Sequence, residues 1–368
     1  MKNKRKKILF VVEAMGGGVF TFLVGLCNEL VADYDIYVAY GVRRQTPDNF
    51  SRYFDEKVHL IRVHHFERSI DPRSDVRAFM ELRRIAGRIK PDIIHLHSSK
   101  AGALGRWAFN GKKTPLFYTP HGYSFLMSNY DAVRRFSYRM VERISAVRCC
   151  TTISCSEGEH KETLRLTNNA LFVNNGINID EIQRMMDSIG TIQDKTFTVF
   201  TLGRICYQKN PKLFNEIASR VPDVQFVWVG DGELRHLLTA PNIEVTGWLS
   251  REEALRRSMA SDVFILTSLW EGLPMSLLES MYMEKVCLVN DVIGSRDVIC
   301  SGVNGYVCKD VDEFVKVIRD IRQSPESFHR LSSQAREDIL SKYNTAIMAD
   351  KYREIYEDAL RRKDEGDS

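Results

Sequence analysis

Short apolar runs alternate along this chain with longer stretches in which apolar positions recur every third or fourth residue. Lys7-Ile8-Leu9-Phe10-Val11-Val12 is the first such run, and it turns at Met15-Gly16-Gly17-Gly18 into a helical pattern with Leu23, Leu26 and Leu30 on one face. Strand-like runs follow at Ile36–Tyr40, Val58–Val63, Asp92–His97, Leu116–Thr119, Cys149–Ser156 and Leu171–Gly176. Helical patterns lie around Val76–Ile89 and 134–148, and Ser156 with Glu157 and Glu159 suits a helix start. Polar residues 178–196, with a short helix at Ile179–Met186, have the texture of a linker. Thr196–Gly203 then restarts the alternation. Val224–Gly232, Ile243–Trp248, Val263–Thr267, Val286–Asn290 and Gly305–Val307 continue it, with helices at Pro211–Ser219, after the capping box Ser250/Glu253, and at Val311–Arg322. Residues 326–365 read as charged terminal helices.

Strands that alternate with helices predict a parallel sheet wound on both faces. The expected fold class is therefore α/β, with a doubly wound N-terminal domain at 1–177, a linker at 178–195 and a second doubly wound domain at 196–345. A C-terminal helix at 346–368 is placed to pack back on the N-terminal domain. A length of 368 residues agrees with two domains at roughly 100–200 residues each.

Composition adds limits. No apolar run approaches the ~18 residues of a membrane span. The start, Lys2-Asn3-Lys4-Arg5-Lys6-Lys7, leads into too few apolar residues before Glu13 for a signal peptide, so a cytoplasmic protein is expected. The eight cysteines, at 27, 149, 150, 155, 206, 287, 300 and 308, contain no Cys-x-x-Cys pair and read as buried structural thiols. The net charge of +4 is unevenly divided: residues 1–175 carry 28 Lys+Arg against 17 Asp+Glu. Arg134, Arg135, Arg139, Arg143 and Arg148 are interleaved with Phe136, Tyr138, Met140, Val141 and Ile144. That pattern fits either a solvated helix face or one that lies on anionic lipid. No nucleic-acid partner is expected.

Candidate chemistry concentrates in Leu269–Glu279, where strand, short loop and helix deliver unpaired N–H groups to an anion, with Pro274 setting the first turn. Glu271 and Glu279 on one helix would stand ~12 Å apart at ~1.5 Å per residue. A glycosidase acid pair needs roughly 5–9.5 Å. Arg204 and Lys209, after the strand ending at Gly203, suit a diphosphate as fork and point charge, or form a solvated loop. At the first turn the dinucleotide fingerprint lacks its third glycine, where Thr21 stands, and the following strand lacks its closing acid; a nicotinamide enzyme is not expected. The glycines permit close approach of something bulky, or make only a tight turn. His95 and His97 share one side of a strand without a third ligand, which favours sheet-end packing or acceptor contact over metal. His121, between Pro120 and Gly122, closes a parallel strand where ligands bind in open sheets, or is a capped surface histidine. The Asp-x-Asp matches at Asp33/Asp35 and Asp310/Asp312 read as turn and capping residues.

Together, Glu271-x₇-Glu279, Gly203-Arg204 with Lys209-Asn210, Val229-Gly230-Asp231-Gly232 and Gly17-Gly18 resemble the GT4 family of retaining glycosyltransferases with the GT-B fold, over essentially the whole chain. The resemblance implies two Rossmann-like domains facing each other across a cleft, and a metal-independent reaction without cofactor. It implies that Glu279 holds the ribose hydroxyls and that Glu271, with the N–H groups of Gly272 and Leu273, contacts the donor sugar. Met275 and Ser276 N–H groups would meet the diphosphate, and Arg204 and Lys209 would neutralise the leaving group, with Gly247 also at the donor. Gly17 and Gly18 would let the N-terminal domain close over the diphosphate, and His121 would lie near sugar and acceptor. The run His97–Arg106, with Thr119–Tyr123, is similar to bacterial members that extend polyprenyl-diphosphate-linked sugars in capsule or O-antigen assembly. That implies acceptor contacts from His97, Lys100, Arg106 and His121. The exit Ser280-Met281-Tyr282-Met283-Glu284-Lys285 departs from the small residue and glycine-x-proline common in the family.

The expected function is transfer of a hexose or N-acetylhexosamine from a nucleotide diphosphate sugar, UDP-linked, to a lipid-linked saccharide at the inner face of the membrane, with the basic N-terminal domain on anionic lipid. A GT-B sugar-nucleotide epimerase and a catalytically silent membrane scaffold are the alternatives.

Overall fold

In the computed structural model, residues 5–13, 15–43, 46–67, 71–190 and 196–366 are described. Residues 191–195 of the expected linker and 367–368 of the expected terminal helix lie outside them. The chain divides into two units, one of residues 1–126, 130–176 and 345–368, the other of 127–129 and 177–344.

The first unit runs β1 (Lys7–Val12), α1 (Gly17–Leu30), β2 (Asp35–Tyr40), β3 (His59–Arg62), α2 (Pro72–Ile89), β4 (Ile93–His97), α3 (Ser99–Ala108), β5 (Leu116–Thr119), α4 (Ala132–Ser145), β6 (Thr151–Ser154), α5 (Glu157–Leu164) and β7 (Ala170–Phe172). Its seven strands are ordered β3-β2-β1-β4-β5-β6-β7, with parallel pairing at each neighbour. β1 and β4 sit at the middle and are covered on both faces, which is why they read as continuous apolar runs. Local chemistry sets the helix starts: Asp71 accepts from Ser74 N–H at 2.9 Å before α2, and Asp131 from Arg134 N–H at 2.8 Å before α4. The hydrophobic pattern does not announce α3, because its glycines and small residues hide the apolar period.

The second unit runs α6 (Ile179–Ile189), β8 (Thr198–Leu202), α7 (Pro211–Arg220), β9 (Gln225–Val229), β10 (Ile243–Val245), α8 (Arg251–Met259), β11 (Val263–Leu266), α9 (Met275–Tyr282), β12 (Val286–Asn290), β13 (Tyr306–Cys308), α10 (Val311–Gln323) and α11 (His329–Lys342). Its parallel sheet is ordered β10-β9-β8-β11-β12-β13. Phe214, Phe226 and Trp228 pack edge to face at its core. Where linker was expected, α6 belongs to this unit: its Gln183 Oε1 accepts from Tyr282 Oη at 2.9 Å and from Arg336 at 3.1 Å. The unusual exit of α9 is closed by Glu284 at φ +55° and by Lys285, whose buried Nζ donates to the carbonyls of Met259 and Ser261.

The last helix, α12 (Thr345–Gly366), rejoins the first unit. Met348, Ala349, Tyr352, Tyr356 and Leu360 complete the core formed by Phe10, Val12, Leu23 and Leu26. Gly25 is needed there, since a Cβ would crowd Thr345. Arg353 Nε donates to Asp33 at 2.8 Å and its fork to the Glu29 carbonyl at 2.7 Å.

Candidate functional site

Strand order reverses between β1 and β4 in the first sheet and between β8 and β11 in the second. Ligands of open α/β sheets bind beyond the carboxyl ends of strands at such a point.

In the second unit, the loops after β8 and β11 are tied together there. Leu269 N–H donates to the Gln208 carbonyl at 2.8 Å, and the Thr267 hydroxyl to that of Lys209 at 2.7 Å. Glu271, 8 % exposed, lies in the second loop. Its Oε1 accepts from Lys209 Nζ at 2.7 Å and Ser268 Oγ at 2.6 Å, while Oε2 accepts from Gln208 Nε2 at 3.3 Å. The loop is braced from beneath: Asn290, ending β12, donates to the Ser268 carbonyl at 3.1 Å. Gly294, at φ +84°, allows its own backbone to approach Gly272, whose carbonyl a Cβ would strike.

α9 begins beside this loop. Pro274 is its cap, one position earlier than a first-turn proline, and offers no side-chain acceptor. The first-turn N–H groups of Met275 and Ser276 are thus left for an anion, with the macrodipole behind them. Glu279 stands on the helix, separate from the loop that holds Glu271. It too is nearly buried, and its Oε1 accepts from Arg251 at 3.0 Å. Arg251 Nε donates in turn to Glu181 of α6 at 2.9 Å. The two carboxylates, Glu279 foremost, hold the Arg251 guanidinium above its ordinary value.

Arg204 Nε donates to Glu233 at 2.9 Å in a half-exposed pair. The glycine exits bring backbone together around it: a Cβ on Gly230 would strike the Gly203 carbonyl, and Gly230 bridges to Gly247, itself at φ +77°.

In the first unit, Gly17 (φ +59°) and Gly18 are exposed at the start of α1, and a Cβ on Gly17 would meet open space. His95 and His97 are fully buried. His95 Nδ1 bonds Tyr356 Oη at 2.6 Å and its Nε2 bonds Thr119 Oγ1 at 2.9 Å. His97 Nδ1 bonds His121 Nε2 at 3.0 Å, so the two histidines of the expected acceptor motif meet. His121 is held at φ +56° by its neighbour, whose Gly122 N–H donates to Glu159 Oε1 at 2.6 Å; Cys155 N–H donates to Glu159 Oε2 at 2.8 Å. Burial raises the Glu159 carboxyl and lowers His121 to about 3, with His95 and His97 also well below the usual histidine range.

Two expected acceptor contacts are engaged elsewhere. Arg106 is 1 % exposed: its guanidinium donates to Glu142 Oε2 at 2.6 Å and lies 4.4 Å from the centre of the Tyr118 ring, joining α3 to α4 inside the unit. It cannot meet an acceptor diphosphate from there. Lys100 Nζ pairs with Asp75 of α2 at 2.7 Å and donates to the Glu67 carbonyl. Of the acidic pairs, Asp310 caps α10 by accepting from Glu313 N–H at 3.0 Å, and Asp33 binds Arg353. Among the described residues no cluster of three or more His, Cys, Asp or Glu is arranged to hold a metal, and no helix is long and apolar enough to cross a membrane. Among the described residues no two thiols pair in a disulfide; Cys27, Cys150, Cys155, Cys287 and Cys308 are buried as expected, but Cys149 and Cys300 are exposed, because each lies in a connection between elements.

Sequence reasoning gives no site role to Arg251, Glu181, Gln208 or Ser268, and reads Glu159 only as part of a helix start. Ser250/Glu253 drew attention to the cap, whose serine does accept from Glu253 N–H at 3.2 Å, and away from Arg251 between them. Glu181 lay in apparent linker. Ser268 stands three residues before Glu271, a short-range signal that was available.

Residues 182–338 match the family model described as Glycosyl transferases group 1, and residues 16–181 match that of Glycosyltransferase Family 4. The chain is 29 % identical over 341 residues to the UDP-Gal:alpha-D-GlcNAc-diphosphoundecaprenol alpha-1,3-galactosyltransferase of Escherichia coli, covering 84 % of this chain and 86 % of that one. It is 24 % identical over 324 residues to a Campylobacter jejuni alpha-1,4-N-acetyl-D-galactosaminyltransferase named for an undecaprenol-diphosphate-linked substrate, at 83 % and 86 % coverage. Sucrose-phosphate synthase of Thermosynechococcus elongatus shares the fold with a TM-score of 0.81 at 15 % identity, over 97 % of this chain and 100 % of that one.

Proposed function

This chain belongs to glycosyltransferase family 4 and is a glycosyltransferase of the GT-B type, and from that premise we propose that it moves a hexose or N-acetylhexosamine from a UDP-sugar to a polyprenyl-diphosphate-linked saccharide, with retention and without a metal. The observation that carries this reading is Lys209 bonded to Glu271 beside the uncapped start of α9. One carboxylate, one ammonium and a row of N–H groups match the sugar and the diphosphate of a single donor.

In this reading Glu271 Oε2 accepts a hydroxyl of the donor sugar, since Oε1 is already engaged twice. Lys209 keeps two further N–H donors for the diphosphate, joined by Met275 and Ser276 N–H and by Arg204 once it leaves Glu233. The bond from the anomeric carbon to the diphosphate oxygen breaks as the acceptor hydroxyl attacks the same face, and the acceptor proton passes to the departing phosphate oxygen. UDP leaves. Fixed donors aimed at the growing negative charge supply the stabilisation that a divalent ion provides elsewhere. Glu279 receives the ribose.

The acceptor reading draws on the two bacterial relatives, both named for undecaprenol-diphosphate-linked substrates, and on α4. Val133, Phe136 and Ile144 on that helix, with Val147 just beyond it, are 76, 64, 50 and 77 % exposed. With Arg139 and Arg143 beside them they form an apolar stripe with basic flanks, suited to an anionic lipid surface at the cytoplasmic face. Flotation with phosphatidylglycerol vesicles tests this: the chain should rise with them, and Phe136→Asp with Ile144→Asp should stay in solution. Equal flotation of both proteins would remove α4 from the account. A thermal-shift panel of nucleotide sugars tests the donor: UDP-sugars should stabilise the chain in EDTA, and Glu279→Ala should abolish the shift. No shift with any UDP-sugar would contradict the donor reading.

A further inference from the structure

The histidine pair of the first unit contains a polar atom that nothing engages. His97 Nδ1 bonds His121 Nε2 at 3.0 Å, but His97 Nε2 is sealed from solvent and has no hydrogen-bond partner. Its ring neighbours supply no acceptor: the Phe10 and Phe22 rings each lie 5.6 Å from the His97 ring, centre to centre, and His95, at 4.2 Å, has both nitrogens engaged by Tyr356 and Thr119. Only one proton lies between the two histidines, and two arrangements are possible. In one, His121 Nε2–H donates to His97 Nδ1, and the His97 proton then sits on Nε2, as a buried N–H without an acceptor. In the other, His97 Nδ1–H donates to His121 Nε2, and the sealed Nε2 is a bare lone pair. A buried N–H without an acceptor is the rarer and costlier of the two.

We infer that His97 holds His121 as the Nδ1–H tautomer, so that His121 meets the substrate as a hydrogen-bond donor and not as a base. The inference rests on the proposed glycosyl transfer and on the place near sugar and acceptor that the family resemblance implies for His121. The geometry leaves that donor free to act: among the described residues His121 Nδ1 has no hydrogen-bond partner, and it is not among the sealed polar atoms. The φ of +56° and the Glu159 grip on Gly122 fix the backbone, and Phe22, edge to face at 4.7 Å, fixes the ring. A neutral imidazole N–H with its other nitrogen already occupied is suited to an oxygen, either a sugar hydroxyl or a phosphate of the donor. His97 is then a positioning residue: it touches no substrate and acts through the proton it keeps.

The direct test is a long-range proton–nitrogen correlation spectrum of the full chain labelled with ¹⁵N-histidine, with His121 assigned by loss of its signals in His121→Asn. A pyrrole-like Nδ1 and pyridine-like Nε2 are expected; the reverse pattern, or a doubly protonated ring near neutral pH, would overturn the inference. Two variants give an independent reading. His97→Asn keeps an N–H near the Nδ1 position and should transfer sugar within about tenfold of the parent; His97→Asp offers only an acceptor and should lose about 10²-fold or more in kcat, the scale of one lost transition-state donor. Matching melting temperatures for the two variants exclude a folding defect, and equal rates would contradict the inference. If His121→Ala transfers sugar at the parental rate, the placement of His121 fails and the tautomer role with it. An active, His121-dependent enzyme with Nε2–H would remove the tautomer alone.

Discussion

Lys209 Nζ donates to Glu271 Oε1 at 2.7 Å, across two loops that are far apart in sequence and share one end of the second sheet. The pair is neutral as a unit, nearly buried, and keeps free valence on both partners. If each partner also grips the donor, removing either disorders the other. Glu271→Gln and Lys209→Met should each lower kcat/KM by about 10²–10³. The double variant should lose much less than the product of the two, with a coupling of about 1–3 kcal/mol. A double-mutant cycle in steady-state kinetics measures this, and additive losses would show that the two residues act separately.

Arg251 holds Glu279 Oε1, and in the proposed reading the other oxygen takes a ribose hydroxyl. Arg251→Gln should raise the donor KM and the UDP dissociation constant by about tenfold, the worth of one charge-assisted hydrogen bond, with kcat little changed. The preference for UDP over 2′-deoxy-UDP should shrink with it. Calorimetric titration of both nucleotides provides the check; an unchanged preference would detach Arg251 from the ribose site.

Arg106 and Glu142 form an ion pair inside the first unit, with Tyr118 Oη donating to Glu142 Oε1 at 3.0 Å. Removing one partner of such a pair leaves a buried charge unmatched, at about 3–5 kcal/mol. Glu142→Gln should therefore lower the stability of the chain strongly in denaturant titrations. The fraction that stays folded at low temperature should keep the parental acceptor KM. A rise in that KM would return Arg106 to the acceptor site.

His95, His97 and His121 are kept neutral in the folded chain, His121 down to about pH 3. Unfolded, each takes up a proton below about 6.5. The unfolded state then binds more protons, so stability falls with pH from about 6.5 downward, by about 1.4 kcal/mol per pH unit for each histidine. Glu159, raised by burial, acts in the opposite sense over the range just above the usual carboxylate value, and Tyr352 and Tyr356 stay uncharged throughout. Denaturation curves from pH 7 to 4.5 should show this decline, and His121→Asn should reduce its slope by about one histidine's share. A flat profile would mean that the histidines are charged or exposed.

The doubly wound architecture was legible because buried parallel strands leave continuous apolar runs, and Lys7–Val12, Leu116–Thr119 and Val286–Asn290 were read with their true bounds. Glu271 and Lys209 stand out as candidates through their position after strands β11 and β8, and the structure brings the two together. What stayed hidden depends on partners distant in sequence. Arg106 has the same appearance in the chain whether it faces a phosphate or Glu142, and only the packing of α3 on α4 decides. Arg251 gains its meaning from Glu279 and Glu181, which lie 28 and 70 residues away. His97 has the appearance of half an acceptor motif; its value lies in the contact with His121 and in its other nitrogen, which has no partner.

The central claim is tested most directly by one transfer reaction. Full-length protein is incubated in EDTA with a panel of UDP-hexoses and UDP-N-acetylhexosamines and with undecaprenyl-diphosphate-linked N-acetylglucosamine, and the lipid product is read by mass and by proton NMR of the new anomeric centre. The account predicts one added sugar from at least one UDP donor, joined in the donor's own α configuration, and no product with Glu271→Ala. Inverted product, release of free sugar without transfer, or activity that appears only when Mn²⁺ is restored would contradict it.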